Sequence, residues 1–394
     1  MHFCRKNPIF ATGLYLTITI MKYKLAICLF LLPLNLPALS FSSYVDGCDL
    51  RLFFDVISEE EKTVCFHSFD EEDPLFVPDY FEIPSEVQYD DNTYSITEIN
   101  IDGINHLHQC KNIVLPNSAS VIRFNSSRDE LRIILRTNEG NPYFYEKDSV
   151  LFDNQNSLIY YPVVKSVASY VIPEGTKKIM GGGVFYSNTH LKSVTIPDGV
   201  KEIGESAFYY CTELSQIKFG DNSIETIGYY SFYGCYNLKE LKLPPSIKHV
   251  SVCSFANSSV ENLIIPDCDV YFDISAFSGS DDYPTPGNLK KVVSYIKAPK
   301  PIHDWAFPNK NKVFAEWEYT LATLYVPKGT KEIYMSTHGW EFTNIIEMDD
   351  EETTSIKNIP FPNETPFYDL TGKIINSTLY KGVVIHNNKK VILK

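Results

Sequence analysis

From Leu191 to Phe255 the apolar positions of this chain return in one fixed order. Leu191, Val194 and Ile196 lead into Pro197; Leu214, Ile217 and Phe219 lead into Gly220; Leu238, Leu241 and Leu243 lead into Pro244; Val260, Leu263 and Ile265 lead into Pro266. Alternation at the end of each run predicts a short strand with one buried face, and a proline without an N–H closes it. A second apolar pair follows, Val200 with Ile203 and Ile224 with Ile227, and predicts another short extended piece that reaches a corner at Gly204 or Gly228. Each unit then ends on a small residue and an aromatic ring: Val184-Phe185, Ala207-Phe208, Ser231-Phe232, Ser254-Phe255 and Ala276-Phe277.

The two markers keep step. The strand-closing position recurs, from Pro173, at intervals of 24, 23, 24 and 22 residues, and the repeat phenylalanine at 23, 24, 23 and 22. A unit of this length is one turn of chain whose apolar face needs a neighbouring turn to cover it. The predicted fold is therefore a β-rich solenoid, a stack of coils of about 23 residues with an N-terminal β cap and a small C-terminal β segment. Phe185, Phe208, Phe232, Phe255 and Phe277 are expected to point inward as one structural column. Cys211 and Cys235 lie three residues after the phenylalanine in successive units, where a small buried hydrophobe is wanted, and Cys110 falls in the same slot of a weaker copy.

The ends are less regular. Residues 1–40 are expected to be an upstream extension plus an export signal: Lys22 and Lys24 precede an apolar core from Leu25 to Leu36, and small residues at Ala38 and Ser40 suit cleavage before Phe41. Residues 41–80 are expected to cap the stack, 81–348 to form its coils, 349–354 to be an acidic linker and 355–394 a β-rich tail. Phe81 to Pro116 is a divergent first coil, with Leu107 in the phenylalanine slot, and Asn141 to Pro162 an inserted hairpin. The loop Ser278 to Gly287 lengthens one unit, and Ala306-Phe307 resumes the theme. In the tail, Phe367 to Leu370, Lys373 to Ile375, Val383 to His386 and Lys390 to Leu393 are the expected strands.

Composition narrows the function. The chain of 394 residues is 44% apolar with 26 Tyr and 25 Phe, too aromatic to be disordered. A net charge of −14 argues against a surface that wraps nucleic acid, so nucleic acid is not an expected partner, and no membrane insertion is expected after signal removal. Of nine cysteines, Cys4 and Cys28 leave with the signal. The remaining odd number, without a CxxC pair, suits neither a disulfide framework nor a zinc site.

No catalytic constellation is visible. The sequence lacks HExxH, GxSxG, a GxxxxGK[ST] loop and a GxGxxG after a strand, and Gly181 to Gly183 read as a turn. His106 and His108 beside Cys110 are the one close pair of metal-ligand type, with no further cluster, so no metal, no cofactor and no catalysis are expected. The acidic runs Glu59 to Glu61, Asp70 to Asp73 and Asp349 to Glu352 lie in loops or linkers, which do not hold paired carboxylates at a fixed separation.

Two surface features carry the expected function. Lys192, Ser193 and Thr195; Ser215, Gln216 and Lys218; Lys239, Glu240 and Lys242; and Glu261, Asn262 and Ile264 are the outward strand positions, and the four lysines form a basic stripe on an acidic body. Tyr186, Tyr209 and Tyr233 each follow the repeat phenylalanine and are flanked by Tyr210, Tyr229, Tyr230 and Tyr236. Tyrosine combines contact area with a polar tip and little rotamer entropy, which suits a protein or glycan contact.

The units resemble the BspA-type, or Treponema-type, leucine-rich repeats, whose pattern is roughly LxxIxIPxxVxxIGxxAFxxCxxL. Residues 191–255 follow it nearly position by position, the clear match runs over about 165–280, and weaker copies extend from 81 to 327. Gly220 in place of Pro, and Asn188, Ser258 and Ser280 in place of Cys, are departures. The insert, the segment LYVPKGTKEIYMSTHGW and the tail look like features of exported proteins of Gram-negative gut and oral anaerobes. The resemblance implies a secreted or cell-surface adhesion protein that binds host extracellular or bacterial surface proteins. It also implies a tail similar to a shortened sorting domain; a structural spacer or anchor, and a carbohydrate-binding or carbohydrate-active protein, are the alternatives.

Overall fold

A computed structural model describes residues 40–44, 51–69, 79–101, 110–124, 132–277, 289–304, 306 and 322–349, together with the backbone of four strands near the C-terminus. The expected export segment up to residue 39, Cys48, the run Asp70 to Asp73, Leu107, the His106/His108 pair, the loop Ser278 to Gly287, Phe307 and the linker from residue 350 lie outside these residues.

Successive units pair in parallel, residue for equivalent residue. In one sheet Ser169–Val171, Ser193–Ile196 and Gln216–Phe219 are neighbours, with Tyr170 opposite Val194 and Val194 opposite Ile217. A second ladder consists of two-residue strands, Lys178–Ile179, Glu202–Ile203, Thr226–Ile227, His249–Val250 and Tyr271–Phe272. These are all parallel, and the apolar member of each is buried. The inserted hairpin, Phe144–Lys147 with Val150–Asp153, leads through Ser157–Tyr160 into the start of this ladder. The result is a leucine-rich-repeat type of β fold in which each coil hydrogen-bonds to the next.

The turn before the strands explains why each coil tolerates unusual backbone. Ser206, Tyr230, Cys253 and Ser275, each two residues before the repeat phenylalanine, have φ of 52 to 55°, and Gly183 stands at the equivalent place with φ 78°. Two residues after it, Ser187, Tyr210 and Asn257 have φ of 50 to 54°, with Gly234 at 72°. This conformation costs any residue with a Cβ. It is held because it points the amide at the next coil: Ser206 donates to the Tyr229 carbonyl (2.8 Å), Phe208 to Ser231 (2.7 Å) and Tyr210 to Tyr233 (2.8 Å). The next coil repeats the set.

The corner glycines follow from the same close stacking. A Cβ on Gly204 would lie 2.2 Å from the Gly181 nitrogen, and one on Gly228 would lie 2.9 Å from the carbonyl carbon of Gly204. Only a hydrogen fits between the coils at this corner.

One coil departs from the alternation. Gln216–Phe219 is buried at its first two residues and only partly at its last two, whereas Ser193–Ile196 and Asn262–Ile265 alternate. Gln216, expected to face outward, is therefore buried, and Phe219 is left half-buried. At the end of this strand Gly220 donates to the Ile196 carbonyl (2.8 Å), a bond that proline cannot form, and a Cβ at residue 220 would meet Asp198 Oδ1 at 2.4 Å. The three-stranded sheet ends at this strand. Glu240–Lys242 opens a separate parallel sheet that continues through Asn262–Ile265, Lys291–Ser294, Thr323–Pro327 and Asn344–Met348.

The core runs inside both ladders. The five repeat phenylalanines stack with centroid separations of 4.5, 4.9, 5.0 and 5.1 Å and interplanar angles of 5 to 7°, and each is at most 4% exposed. Cys211 and Cys235, fully buried, donate to the carbonyls of Phe185 and Phe208 in the preceding coils, so the thiol column also ties coil to coil. Where Ser258 replaces Cys, its hydroxyl donates to the Phe255 carbonyl of its own coil (2.6 Å). At the far end a short helix, Lys331–Ser336, which the residue pattern did not suggest, brings Tyr334 inward beside Trp340. Their polar tips are satisfied: Tyr334 Oη donates to the Ile296 carbonyl (2.8 Å) and Trp340 Nε1 to the Lys300 carbonyl (2.9 Å).

At the other end Ser40–Tyr44, Arg51–Ser58 and Thr63–Phe69 form an antiparallel sheet. It continues in parallel into Asn92–Asn100, and a core containing Phe41, Phe54, Phe66 and Ile96 lies beneath. Tyr80–Glu82, Asn112–Leu115 and Ile134–Thr137 pair in parallel as divergent coils would, and Cys110 beside them is buried. Near the C-terminus Phe367–Tyr368, Ile374–Ile375, Gly382–His386 and Lys389–Leu393 form a four-stranded antiparallel sheet.

Candidate functional site

The turns that hold the phenylalanine column also set the tyrosines. Because Phe185, Phe208 and Phe232 point in, the next residue of each coil points away from that column. Tyr186, Tyr209 and Tyr233 therefore form a second stack, with centroids 5.1 and 5.0 Å apart and planes within 15° and 8°. The left-handed residues carry further rings beside it. Tyr210 meets Tyr209 edge-on at 4.8 Å, and Tyr230 meets Tyr233 at 5.2 Å with perpendicular planes. Tyr229 packs on Tyr230 at 4.0 Å, and Tyr236 on Tyr210 at 6.0 Å.

Burial divides these seven side chains. Tyr233 is only 6% exposed and anchors a small separate core with Cys253 and Ala256, against which Tyr209, Tyr210 and Tyr230 pack. The outermost rings are Tyr229 and Tyr236, 39% and 46% exposed. Hydroxyls are linked within the group: Asn257 Nδ2 donates to Tyr233 Oη, and the Tyr229 and Tyr236 hydroxyls share hydrogen bonds with Tyr230 and Tyr210. The bond to Tyr229, then burial, raises the Tyr230 phenol well above its ordinary range; burial does the same for Tyr209 and pushes Tyr236 up to about 12.

The cluster does not extend along the repeats. In the next coil the equivalent positions are Val252, Cys253, Ala256 and Asn257, although Phe255 and Phe277 continue the inner column.

The lysines are arranged differently from a single stripe. Lys192 and Lys239 share one repeat position, with Ser215 between them and Glu261 after them, while Lys218 and Lys242 share another that becomes apolar at Ile264 and Val293. Lys192, Lys239 and Lys242 are exposed and Lys218 is half-buried, on the far side of the ladder break from Lys242. Further along, Glu261 pairs with Lys290 at 2.9 Å, so the charge alternates. Ile264, expected outward, packs with Val293, Tyr295, Tyr325 and Met348 in a small apolar cluster on that face.

One cluster of metal-ligand type lies elsewhere. Asp304, His338 and Glu341 each place a ligand atom within 4.8 Å of the others. Sequence reading missed it because the segments meet through the Ile302 amide and the His338 carbonyl (3.0 Å), a tertiary contact with no periodic signal. Its geometry is that of an imidazole between two acceptors: Nε2 faces Asp304 at 3.4 Å and Nδ1 faces Glu341 at 3.8 Å. An ion on either nitrogen would find one carboxylate on its own side, and Asp304 and His338 are exposed.

Comparison with known proteins agrees with the repeat phasing. Residues 159–283 match the BspA type leucine rich repeat region in six copies. Among solved structures, the pneumococcal vaccine antigen PcpA is 18% identical over 76% of this chain and 97% of its own, with a TM-score of 0.45. A leucine rich cell surface protein from Faecalibacterium prausnitzii is 16% identical, over 64% and 94%, at 0.39. A leucine-rich repeat protein from Bacteroides ovatus is 18% identical, over 75% of each chain, at 0.38. No curated protein sequence matches the chain. Among the described residues no helix is long and apolar enough to cross a membrane.

Proposed function

We propose that this chain, whose residues 159–283 are BspA-type leucine-rich repeats, is an exported, cell-surface or secreted binding protein that acts without catalysis and recognises another protein on the face bearing its tyrosine cluster. The observation that carries this reading is the contrast between two aromatic columns. The phenylalanine stack continues through five coils, while the tyrosine stack stops after three although the phenylalanine column and the ladder of two-residue strands run on. Residues that a repeat does not need for stacking, concentrated on one surface with two rings about two-fifths exposed, suit contact with a partner. The export signal in residues 1–40 and the coils and caps closing into one solenoid belong to the same proposal.

Capture of host extracellular and bacterial surface proteins from solution by the full chain tests it. The expected result is capture that falls sharply when Tyr229 and Tyr236 are both changed to Ala, with the thermal transition unmoved. Undiminished capture would place the contact on another face, the lysine rows at Lys192, Lys218, Lys239 and Lys242 being the next candidate.

A second reading, a spacer or anchor of a surface complex, is favoured by the four-stranded sheet within 367–393, a compact β unit set apart from the repeats in sequence. Removal of residues 353–394 followed by cell fractionation separates the two. Loss of surface display with binding intact supports an anchoring tail.

A further inference from the structure

We propose that the tyrosine cluster docks a basic, proline-rich segment in the polyproline II conformation, an inference that rests on the protein-binding reading above and names its partner class. Dimensions support it first. Tyr186, Tyr209 and Tyr233 advance by 5.1 and 5.0 Å, about 10 Å over two coils. A polyproline II helix turns every three residues at about 3.1 Å each, so one turn of ligand covers nearly the same distance. Tyr186 and Tyr209 are half-buried and Tyr233 is buried, so the stack sets the spacing beneath the segment, and Tyr229 and Tyr236 are the rings it touches.

Chemistry selects the same partner. A polyproline II backbone makes no internal hydrogen bonds, so its carbonyls need donors, and its rings are rigid and apolar. Tyr229 and Tyr236 offer ring surface and lose little rotamer entropy on contact, and their hydroxyls, bonded to Tyr230 and Tyr210, would have to turn to a ligand carbonyl. Tyr210 and Tyr230 carry rings at left-handed positions that other coils fill with small residues, Ser187, Gly234 and Asn257 or Gly183, Ser206, Cys253 and Ser275. Their rings support the two exposed ones.

Charge supplies the third argument. Glu205 is exposed and occupies, one coil earlier, the repeat position of Tyr229. Glu213 is one coil before Asn237, which follows Tyr236, and accepts a hydrogen bond from Asn237 Nδ2 (3.3 Å). Among the described residues neither carboxylate has an ion-pair partner. Both belong to the coil before the exposed rings, at repeat positions equal or adjacent to theirs, and favour lysine or arginine on the ligand, arginine also stacking on tyrosine.

Fluorescence anisotropy with the full chain tests this directly, using a labelled peptide of about nine prolines flanked by arginines. A Gly-Ser peptide of equal length and charge is the control. The proline peptide should bind at least about tenfold more tightly than the control. Tyr229→Ala with Tyr236→Ala should weaken it about tenfold without moving the thermal transition, while Tyr229→Phe with Tyr236→Phe should retain part of the affinity. Glu205→Gln with Glu213→Gln should cost about threefold and flatten the salt dependence. Equal binding of the two peptides, or indifference to the alanine pair, overturns the proposal. Binding of a neutral glycan that the alanine pair abolishes overturns the peptide class but leaves the surface as the contact face. A captured protein that the alanine pair does not release overturns the surface itself.

Discussion

Two aromatic columns stand side by side in the same coils and answer to different constraints. Phe185 to Phe277 is a buried stack in which each ring covers the next, and it runs without a gap through five successive coils. Tyr186, Tyr209 and Tyr233 stack just as closely, yet the next coils close without them. Spacing and stacking geometry therefore do not separate a structural column from a displayed one. Continuity does: a feature required by the repeat persists through it, and a feature confined to a few repeats answers to something else.

The largest expected effect belongs to the inner column. Phe232→Ala removes a fully buried ring stacked on Phe208 and Phe255, and should cost about 3 to 5 kcal/mol in chemical denaturation. A loss under about 1 kcal/mol would show that the coil is not held by its phenylalanine and would dissolve the contrast between the columns.

Next comes the corner that sets the coil spacing. Gly204→Ala brings a Cβ to 2.2 Å from the Gly181 nitrogen, which is backbone and cannot swing aside. Overpacking of this kind should cost about 1 to 3 kcal/mol. Gly140→Ala meets nothing within 4 Å but has φ 79°, so it isolates the conformational cost from the steric one. An equal loss at the two sites would mean that coil spacing is not limited at Gly204.

Much of this was legible in the residues. The phase of the coils, the inward phenylalanines and the buried Cys211 and Cys235 all follow from periodicity, because stacking forces equivalent positions into the same environment. What periodicity could not reveal is wherever one coil differs from its neighbours. Gln216 was expected outward because its repeat position is outward elsewhere; it is buried in the strand at which the sheet ends. The helix Lys331–Ser336 and the Asp304, His338 and Glu341 cluster depend on contacts outside the repeat. Within the tyrosine cluster the sequence named the seven rings, but only packing shows that Tyr233 is buried while Tyr229 and Tyr236 are exposed.

The cysteine row extends the contrast to pH. Burial pushes the Cys211 thiol up to about 12 from 9.0, and Cys235 well above its ordinary value. The folded chain then keeps protons that the unfolded chain releases above about pH 9. Stability is fully present below that pH and falls as pH rises toward 12, by at most about 1.4 kcal/mol per thiol per pH unit. Urea midpoints at pH 8 and pH 10 should differ in this sense, and Cys211→Ala with Cys235→Ala should remove part of the difference. A difference unaltered by the double substitution would take the thiols out of the structural set.

The smallest effect is the most discriminating. Tyr229→Ala and Tyr236→Ala remove exposed rings from the edge of their cluster, leaving Tyr233, Tyr209 and the inner phenylalanines in place. Each should change stability by no more than about 0.5 kcal/mol, the range of surface substitutions. If either costs more than about 2 kcal/mol, the outer tyrosines are holding the coils together as the phenylalanines do, and their restriction to three coils would mark a local repair of the stack, near the break between Phe219 and Glu240, and not a surface kept for a partner. If stability is unchanged while partner capture is lost, the two columns differ in purpose as well as in extent, since one substitution then separates binding from folding within the same turn of chain.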